Sequence, residues 1–113
     1  MTVHINGYPF EVVLVDGNIE KMNPDNDHYN LGLTEYLDQT INIRKGMSEV
    51  TTRSTVIHEL IHAFIFAFGY TVESEEAMCN FFGSQADEIM KLTDEIMKGV
   101  NSDADRTGNS EPD

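Results

Sequence analysis

The chain has 113 residues, of which 20 are acidic and 7 basic, giving a formal net charge of −13. This length suits one domain rather than two. The acidic surplus argues against nucleic-acid backbones and anionic membranes as partners, because both attract a positive protein surface. The longest apolar run, residues 63–68, is far too short to span a bilayer. We therefore expect no nucleic acid and no membrane among its partners.

The cysteine content and the N-terminal residues bear on the cellular compartment. A single cysteine, Cys79, excludes an internal disulfide framework. The first residues, MTVHINGYPFEVV, contain no basic segment followed by an uninterrupted apolar one, so we expect no signal peptide. These features predict a protein of the reducing cytoplasm.

The first elements along the chain have the pattern of β-strands. Asn6 and Gly7 suit the two positive-φ positions of a type I′ turn, and β-branched residues flank them, which predicts a hairpin over residues 3–15. Residues 16–30 are polar and rich in turn-forming residues, so we predict a connecting loop there.

A second pair of short strands is predicted over residues 31–37 and 40–44. In the latter, Ile41 and Ile43 alternate with Asn42 and Arg44, which is the period of a strand with one buried face. The period changes after this segment, so we expect helices from that point onward.

Two helices are predicted in the second half of the chain. Ser48 is a suitable N-cap and Gly69 a suitable C-terminal glycine, which predicts a helix over residues 49–68. A second helix is expected to begin near Ser74 and to end at Gly99. Its apolar stripe consists of Met78, Phe81, Phe82, Ile89, Leu92 and Ile96.

The expected fold class is α+β, a small and mostly antiparallel sheet packed on the first helix and joined by the second helix. The segment NSDADRTGNSEPD near the C-terminus has no apolar residue beyond one alanine. It cannot bury enough apolar surface to offset the entropy of ordering. We therefore predict one folded domain over residues 1–99 and a disordered acidic tail over residues 100–113.

The predicted first helix carries three titratable side chains in an otherwise apolar run, STVIHELIHAFIFAFGY. His58 and His62 are four residues apart, so they project from one helix face, and two imidazoles at this spacing can bind one zinc ion. Glu59 lies about a quarter turn away, where it can hold a water on the open side of the metal and take its proton. The alternative is one core and one surface histidine without a metal.

A zinc site of this kind needs a third protein ligand. Glu75 and Glu76 open the second helix, and only one of them can face a metal. We predict Glu76, because Asn80 lies one turn further on the same face, where it could accept the free N–H of a ligating histidine. Gly83 continues that stripe and could let the two helices approach closely. Cys79 is the other candidate ligand, and its alternative role is that of a small buried hydrophobic residue.

With HELIH followed by EEAMCN, the sequence resembles zincin metallopeptidases of the gluzincin type, in which a glutamate on a following helix completes the zinc site. Over residues 31–97 it is also similar to minimal gluzincins and to short metallopeptidases of bacteriophages and prophages. The spacing from His62 to Glu76 is short for thermolysin-like members, and no histidine or tyrosine follows Glu76 to stabilise an oxyanion. Tyr36 and Tyr70 are the tyrosines that could take its place.

The resemblance implies a zinc-dependent peptidase with Zn²⁺ as cofactor, a peptide or protein as substrate, and the cytoplasm of a bacterial or phage-infected cell as location. Residues 31–37 would form an edge strand with which an extended peptide could pair. Glu59 would take a proton from metal-activated water and pass it to the leaving amine. Two alternatives remain, a catalytically weak or inactive zincin-fold module that binds zinc and acts through protein interaction, and a structural accessory protein without metal.

Overall fold

The computed structural model describes residues 1–16 and 31–109, with side chains up to residue 101. The predicted loop over residues 16–30 lies outside the described residues, apart from Asp16. The described residues confirm the predicted α+β class, since they form a four-stranded sheet packed against two helices. In chain order the elements are β1 (Thr2–Ile5), β2 (Tyr8–Val15), β3 (Gly32–Glu35), β4 (Thr40–Arg44), α1 (Glu49–Phe68) and α2 (Glu75–Asn109).

The sheet has the strand order β1-β2-β4-β3. β1 pairs with β2 and β3 with β4 in antiparallel fashion, whereas β2 and β4 are parallel. The predicted β1–β2 hairpin is confirmed, because Asn6 (φ 49°) and Gly7 (φ 84°) both have positive φ, as a type I′ turn requires. β3 is an edge strand of this sheet, as predicted, but it spans four residues rather than the expected seven.

One face of the sheet packs on the helices and forms the hydrophobic core. Ile41 and Ile43 of β4 are completely buried, as the sequence pattern predicts. Asn42 between them is also buried, although the pattern placed it on a polar face. Its amide donates hydrogen bonds to the main-chain oxygen of Leu33, at 3.3 Å, and to the Glu35 carboxylate, at 3.5 Å. This amide therefore ties β4 to the edge strand.

α1 has the predicted boundaries because both of its ends are capped locally. Ser48 Oγ accepts a hydrogen bond from the main-chain N–H of Thr51 at 3.1 Å. Gly69 adopts φ 70° and, with Tyr70, satisfies carbonyl groups of the last turn, which is the arrangement that a C-terminal glycine allows. Asn6 Nδ2 also donates to the main-chain oxygen of Ala67, at 2.9 Å, and so fastens the hairpin turn to this helix end.

α2 begins at the predicted place, since Ser74 Oγ accepts from the main-chain N–H of Ala77 at 3.1 Å. The predicted end at Gly99 is wrong, because the helix continues to Asn109. Glycine costs a helix interior only about 1 kcal/mol, and here Val100 packs against the core just beyond it. Residues 100–109, predicted as part of a disordered tail, thus continue α2, and residues 110–113 lie outside the description.

Neither described helix combines the length and apolar character that crossing a membrane requires. α2 instead packs along α1 and the core with a single face. The buried apolar residues of that face are Phe81, Ile89, Leu92, Ile96 and Met97. Phe82, which the predicted stripe included, is exposed.

Candidate active site

His58 and His62 lie next to each other on the outer face of α1. Both side chains are exposed, and their ring centroids are 5.0 Å apart with an interplanar angle of 69°. They share a face because a separation of four residues is close to one helical turn. The structure therefore brings this predicted ligand pair together, and imidazole nitrogens are donors that zinc accepts readily.

Glu59 lies on another side of α1, against the edge strand β3. Its side chain is only 6% exposed. Thr34 Oγ1 is 2.7 Å from Glu59 Oε1 and 3.1 Å from the main-chain oxygen of the same glutamate. One residue along a helix corresponds to about 100° around its axis, which turns Glu59 away from His58 and toward the strand. The carboxylate thus lies between α1 and the edge with which a peptide is expected to pair.

β3 approaches α1 closely at Gly32. A Cβ atom built at this position would lie 2.8 Å from Thr55 Cγ2, 2.9 Å from Glu59 Cγ and 3.1 Å from the main-chain oxygen of Asn42. The first two distances are shorter than real Cβ contacts allow. Glycine is therefore needed here for space, and its missing side chain makes room for the stem of Glu59.

An aromatic pair lies further along the same side of α1. Tyr36 lies in the turn directly after β3. Its ring stacks on Phe66, with centroids 5.0 Å apart and an interplanar angle of 10°. Tyr36 as a whole is 41% exposed, but partial burial raises the pKa of its phenol, and the negative charge of Glu59 raises that pKa further. Tyr36 is therefore within electrostatic reach of the candidate base.

Tyr70, the other tyrosine considered as an oxyanion donor, belongs to the contact between the two helices. Its hydroxyl accepts a hydrogen bond from Gln85 Nε2 at 3.1 Å. Its ring meets that of Phe81 edge-on, at a centroid distance of 4.9 Å. Tyr70 thus contacts α2 through both its hydroxyl and its ring. Of the two tyrosines, Tyr36 is therefore the better placed to stabilise an oxyanion near Glu59.

The predicted third ligand, Glu76, is exposed in the first turn of α2, beside Glu75. In the part of the chain that the structure describes, no group of three or more histidine, cysteine, aspartate or glutamate side chains is arranged to hold a metal ion. The structure therefore brings the side chains of His58 and His62 together, and it does not bring Glu76 to them. Cys79, the other candidate, is exposed as well, so the alternative of a buried apolar role for it is wrong.

The orientation of α2 explains why Glu76 and the histidine pair are not brought together. Because α2 packs on the core through the stripe that contains Phe81 and Ile89, the stripe of Glu76, Asn80 and Gly83 lies about half a turn away. Asn80 is exposed, and a Cβ atom at Gly83 would meet nothing within 4 Å. The expectation that Gly83 marks a close approach of the two helices is therefore wrong.

Two residues beside Glu59 were not identified from the sequence, Gly32 and Thr34. The signal that could have found them is the alternation in the segment GLTE, which places Gly32 and Thr34 on one face of the strand. Two small residues on one face of a strand leave space for a neighbouring helix. The sequence does not show, however, which helix approaches that face.

The chain was compared with protein-family models, curated proteins and solved structures, and none of them matches it. The functional assignment consequently rests on the site geometry and on the HELIH pattern.

Proposed function

We propose that this protein is a zinc-dependent metallopeptidase of the gluzincin type. His58 and His62 bind the metal and Glu59 is the general base. Glu76 is the third ligand that the sequence predicts, and the described structure does not bring it to the histidine pair. The observation that carries the proposal is an exposed histidine pair on α1 together with a buried carboxylate, about 100° around the same helix, that faces an edge strand. A bound Zn²⁺ would supply Lewis-acid activation of a water molecule and polarisation of the scissile carbonyl.

The edge strand supports a peptide as the substrate. β3 pairs with β4 on one side and with no other strand of the described sheet on its outer side. An extended peptide can add to such an edge through main-chain hydrogen bonds. This pairing would lay the peptide along α1, beside the histidine pair and the Glu59 carboxylate.

Glu59 would carry the proton in this reaction. Thr34 engages Oε1, which leaves Oε2 as the oxygen that receives the proton of the attacking water and returns it to the leaving amine. The carboxylate is held between a helix and a paired strand, so its position relative to a peptide on β3 is defined before the substrate binds. Such a preorganised base needs little rearrangement during the reaction.

The proposal extends to the cellular setting. The substrate is a peptide or protein, and the strongly acidic composition argues against nucleic acid and anionic membrane as partners. We place the protein in the cytoplasm of a bacterial or phage-infected cell, on the resemblance to phage metallopeptidases and on the single, unpaired Cys79.

One observation favours a second function, that of a zinc-binding module that acts through protein interaction without cleavage. Glu59 is buried and hydrogen-bonded to Thr34, as would be expected of an acid whose role is to fasten β3 to α1. In that case the histidine pair would bind zinc, and Glu59 would contribute to stability alone.

Replacement of Glu59 separates the two functions. Glu59→Gln keeps the shape of the side chain and removes its ability to take a proton. For a peptidase we expect zinc content and thermal midpoint near wild type, and peptide hydrolysis lower by about a hundredfold or more. The assay is a mixed peptide library with mass-spectrometric readout, run on wild type, the variant and chelator-treated wild type.

Glu88→Gln is the matched control, because Glu88 is an exposed glutamate on α2 outside the candidate site. It should cleave at the wild-type rate. Equal cleavage by the Glu59→Gln protein would refute the role of the base. A large loss of stability in Glu59→Gln, without cleavage by any sample, would favour the binding module.

A further inference from the structure

We propose that Thr34 is a positioning residue, whose hydroxyl holds the Glu59 carboxylate in the orientation that serves as the general base. This inference rests on the proposed function and adds a residue that the HELIH pattern does not contain. Thr34 would not touch the water or the peptide itself. It would act only through Glu59, which together with the metal site would contact those reacting groups.

The hydrogen bond from Thr34 has the geometry of a strong interaction. The 2.7 Å between Thr34 Oγ1 and Glu59 Oε1 is typical of a hydroxyl that donates to a charged oxygen. The hydroxyl carries one proton and has two acceptors within reach, the second being the main-chain oxygen of Glu59 at 3.1 Å. The shorter contact, to the charged atom, is the favoured one.

Thr34 is itself held rigidly. It pairs with Ile41 of β4 across the antiparallel ladder, and Ile41 is completely buried in the core. The β-branched side chain of threonine also has few rotamers. A hydroxyl on such an element can fix a partner within a few tenths of an ångström, which a donor on a loop cannot do as well.

The Glu59 side chain needs this restraint because it has three rotatable bonds. Gly32 confines its Cγ atom, which would lie 2.9 Å from a Cβ at that position, but it cannot fix the rotation of the carboxylate. Thr34 supplies that last constraint through Oε1. Because a misplaced catalytic group lowers the rate without weakening substrate binding, the loss of Thr34 should reduce kcat and leave KM nearly unchanged.

The first experiment tests the contact in metal-free, full-length protein. Thr34→Val removes the hydroxyl and keeps the branched shape, and Glu59→Met removes the carboxylate and keeps the length. Stability is measured by denaturant unfolding for wild type, both single variants and the double variant. We expect the double variant to lose less stability than the sum of the two single losses. Additive losses would overturn the proposal, whatever the activity.

The second experiment tests the positioning role in the zinc-loaded protein. We expect Thr34→Val to lower kcat by about tenfold to a hundredfold at unchanged KM and unchanged zinc content. Thr34→Ser keeps the hydroxyl and should recover most of that loss. Thr40→Val is the matched control, because Thr40 Oγ1 donates to a different carboxylate, that of Glu35, at 3.1 Å.

The kinetic and unfolding results separate the positioning role of Thr34 from the proposed peptidase function. Unchanged kcat in Thr34→Val, or equal losses in the Val and Ser variants, would overturn the positioning role even if the two side chains are coupled. Absence of cleavage by the wild type would overturn the proposed function and the positioning role with it. The unfolding measurements would then still show whether the Thr34–Glu59 contact exists.

Discussion

Gly32 passes the side chain of Glu59 so closely that a Cβ at position 32 would lie 2.9 Å from Glu59 Cγ. Two features of β3 therefore determine where Glu59 lies. The main chain at Gly32 packs against its Cγ atom, and Thr34 donates a hydrogen bond to its carboxylate. Thr55 Cγ2 would lie even closer to that Cβ, at 2.8 Å, so the structure would have to shift on the α1 side to admit it. The position of Glu59 thus depends on how tightly β3 packs on the helix.

We predict that Gly32→Ala destabilises the protein by about 1–3 kcal/mol, the usual cost of forcing an extra carbon into a packed site. The added methyl group would push against Glu59 and Thr55, so hydrolysis should also fall. The free energy of unfolding in denaturant measures the first effect, and the peptide-library assay measures the second.

Gly83→Ala is the control for that prediction, because a Cβ at Gly83 meets nothing within 4 Å. Gly83 lies inside α2, where alanine is favoured over glycine, so this variant should be more stable than wild type by up to about 1 kcal/mol. The two glycine replacements should therefore change the free energy of unfolding in opposite directions. A Gly32→Ala protein as stable as wild type would show that β3 and α1 pack more loosely than the structure indicates.

The parts of the fold that depend on local chemistry could be predicted from the sequence. Asn6 and Gly7 form the turn of positive φ that their residue types favour. Ser48 and Gly69 delimit α1 because each satisfies main-chain groups at its own end of the helix. The histidine pair follows from helix geometry alone, so its placement needed no tertiary information.

The features that depend on packing between distant elements could not be predicted in the same way. The apolar stripe of α2 determines which face meets the core, and Glu76 lies on the opposite, exposed face of that helix. Gly99 was expected to end α2, but it lies inside that helix, beside Met1, whose Sδ would be 3.2 Å from a Cβ added at position 99. The partner of Glu59 was missed because Thr34 reaches it across 25 positions of sequence.

The end of α2 can be tested by truncation. Val100 packs against the core, whereas Asn101 is exposed. Deletion of residues 101–113 should change the thermal midpoint little, and deletion of residues 100–113 should cost about 1 kcal/mol more, the value of one partly buried valine. Thermal unfolding of the two truncated proteins measures the difference. Equal midpoints would show that Val100 contributes nothing to the core.

Zinc binding should depend on the histidine pair. We expect about one zinc per chain by elemental analysis of tag-free protein purified without chelator. His58→Ala and His62→Ala should each lose most of the zinc, because a site of this kind has only three protein ligands and loses affinity when one is removed. His4→Ala is the control, since His4 is exposed in β1, away from this face. Full zinc content in either variant of the pair would refute the metal assignment.

The third ligand can be tested by comparing two adjacent glutamates. Glu75 and Glu76 are both exposed in the first turn of α2, and about 100° of helix rotation separates them. If Glu76 binds zinc, Glu76→Gln should weaken zinc affinity by at least about tenfold more than Glu75→Gln, because only an ionised carboxylate is a strong ligand. A competition titration with a zinc-binding dye measures both. Wild-type affinity in Glu76→Gln would exclude it as a ligand.

The last prediction concerns the ionisation of Tyr36, whose pKa lies above the ordinary 10.0 because of burial and, second, the charge of Glu59. At a pH between 10.0 and the folded-state pKa, the phenol is mostly protonated in the folded protein and mostly ionised in the unfolded chain. The associated stability is therefore fully present below pH 10.0 and is lost as the pH rises through the folded-state pKa. Glu59→Gln removes one of the two causes, so the pKa of Tyr36 should fall toward its ordinary value while remaining raised by burial.

Phenolate absorbance during alkaline titration measures this pKa, and subtraction of the Tyr36→Phe titration isolates the Tyr36 signal from those of the other three tyrosines. Glu88→Gln removes an equal charge that is not among the causes of the raised pKa, so it should leave the Tyr36 titration unchanged. A fall of the Tyr36 pKa in Glu59→Gln alone would place the carboxylate facing the ring, independently of zinc and of any peptidase activity. An identical titration in wild type and Glu59→Gln would contradict that placement, and with it the position of the general base beside the edge strand.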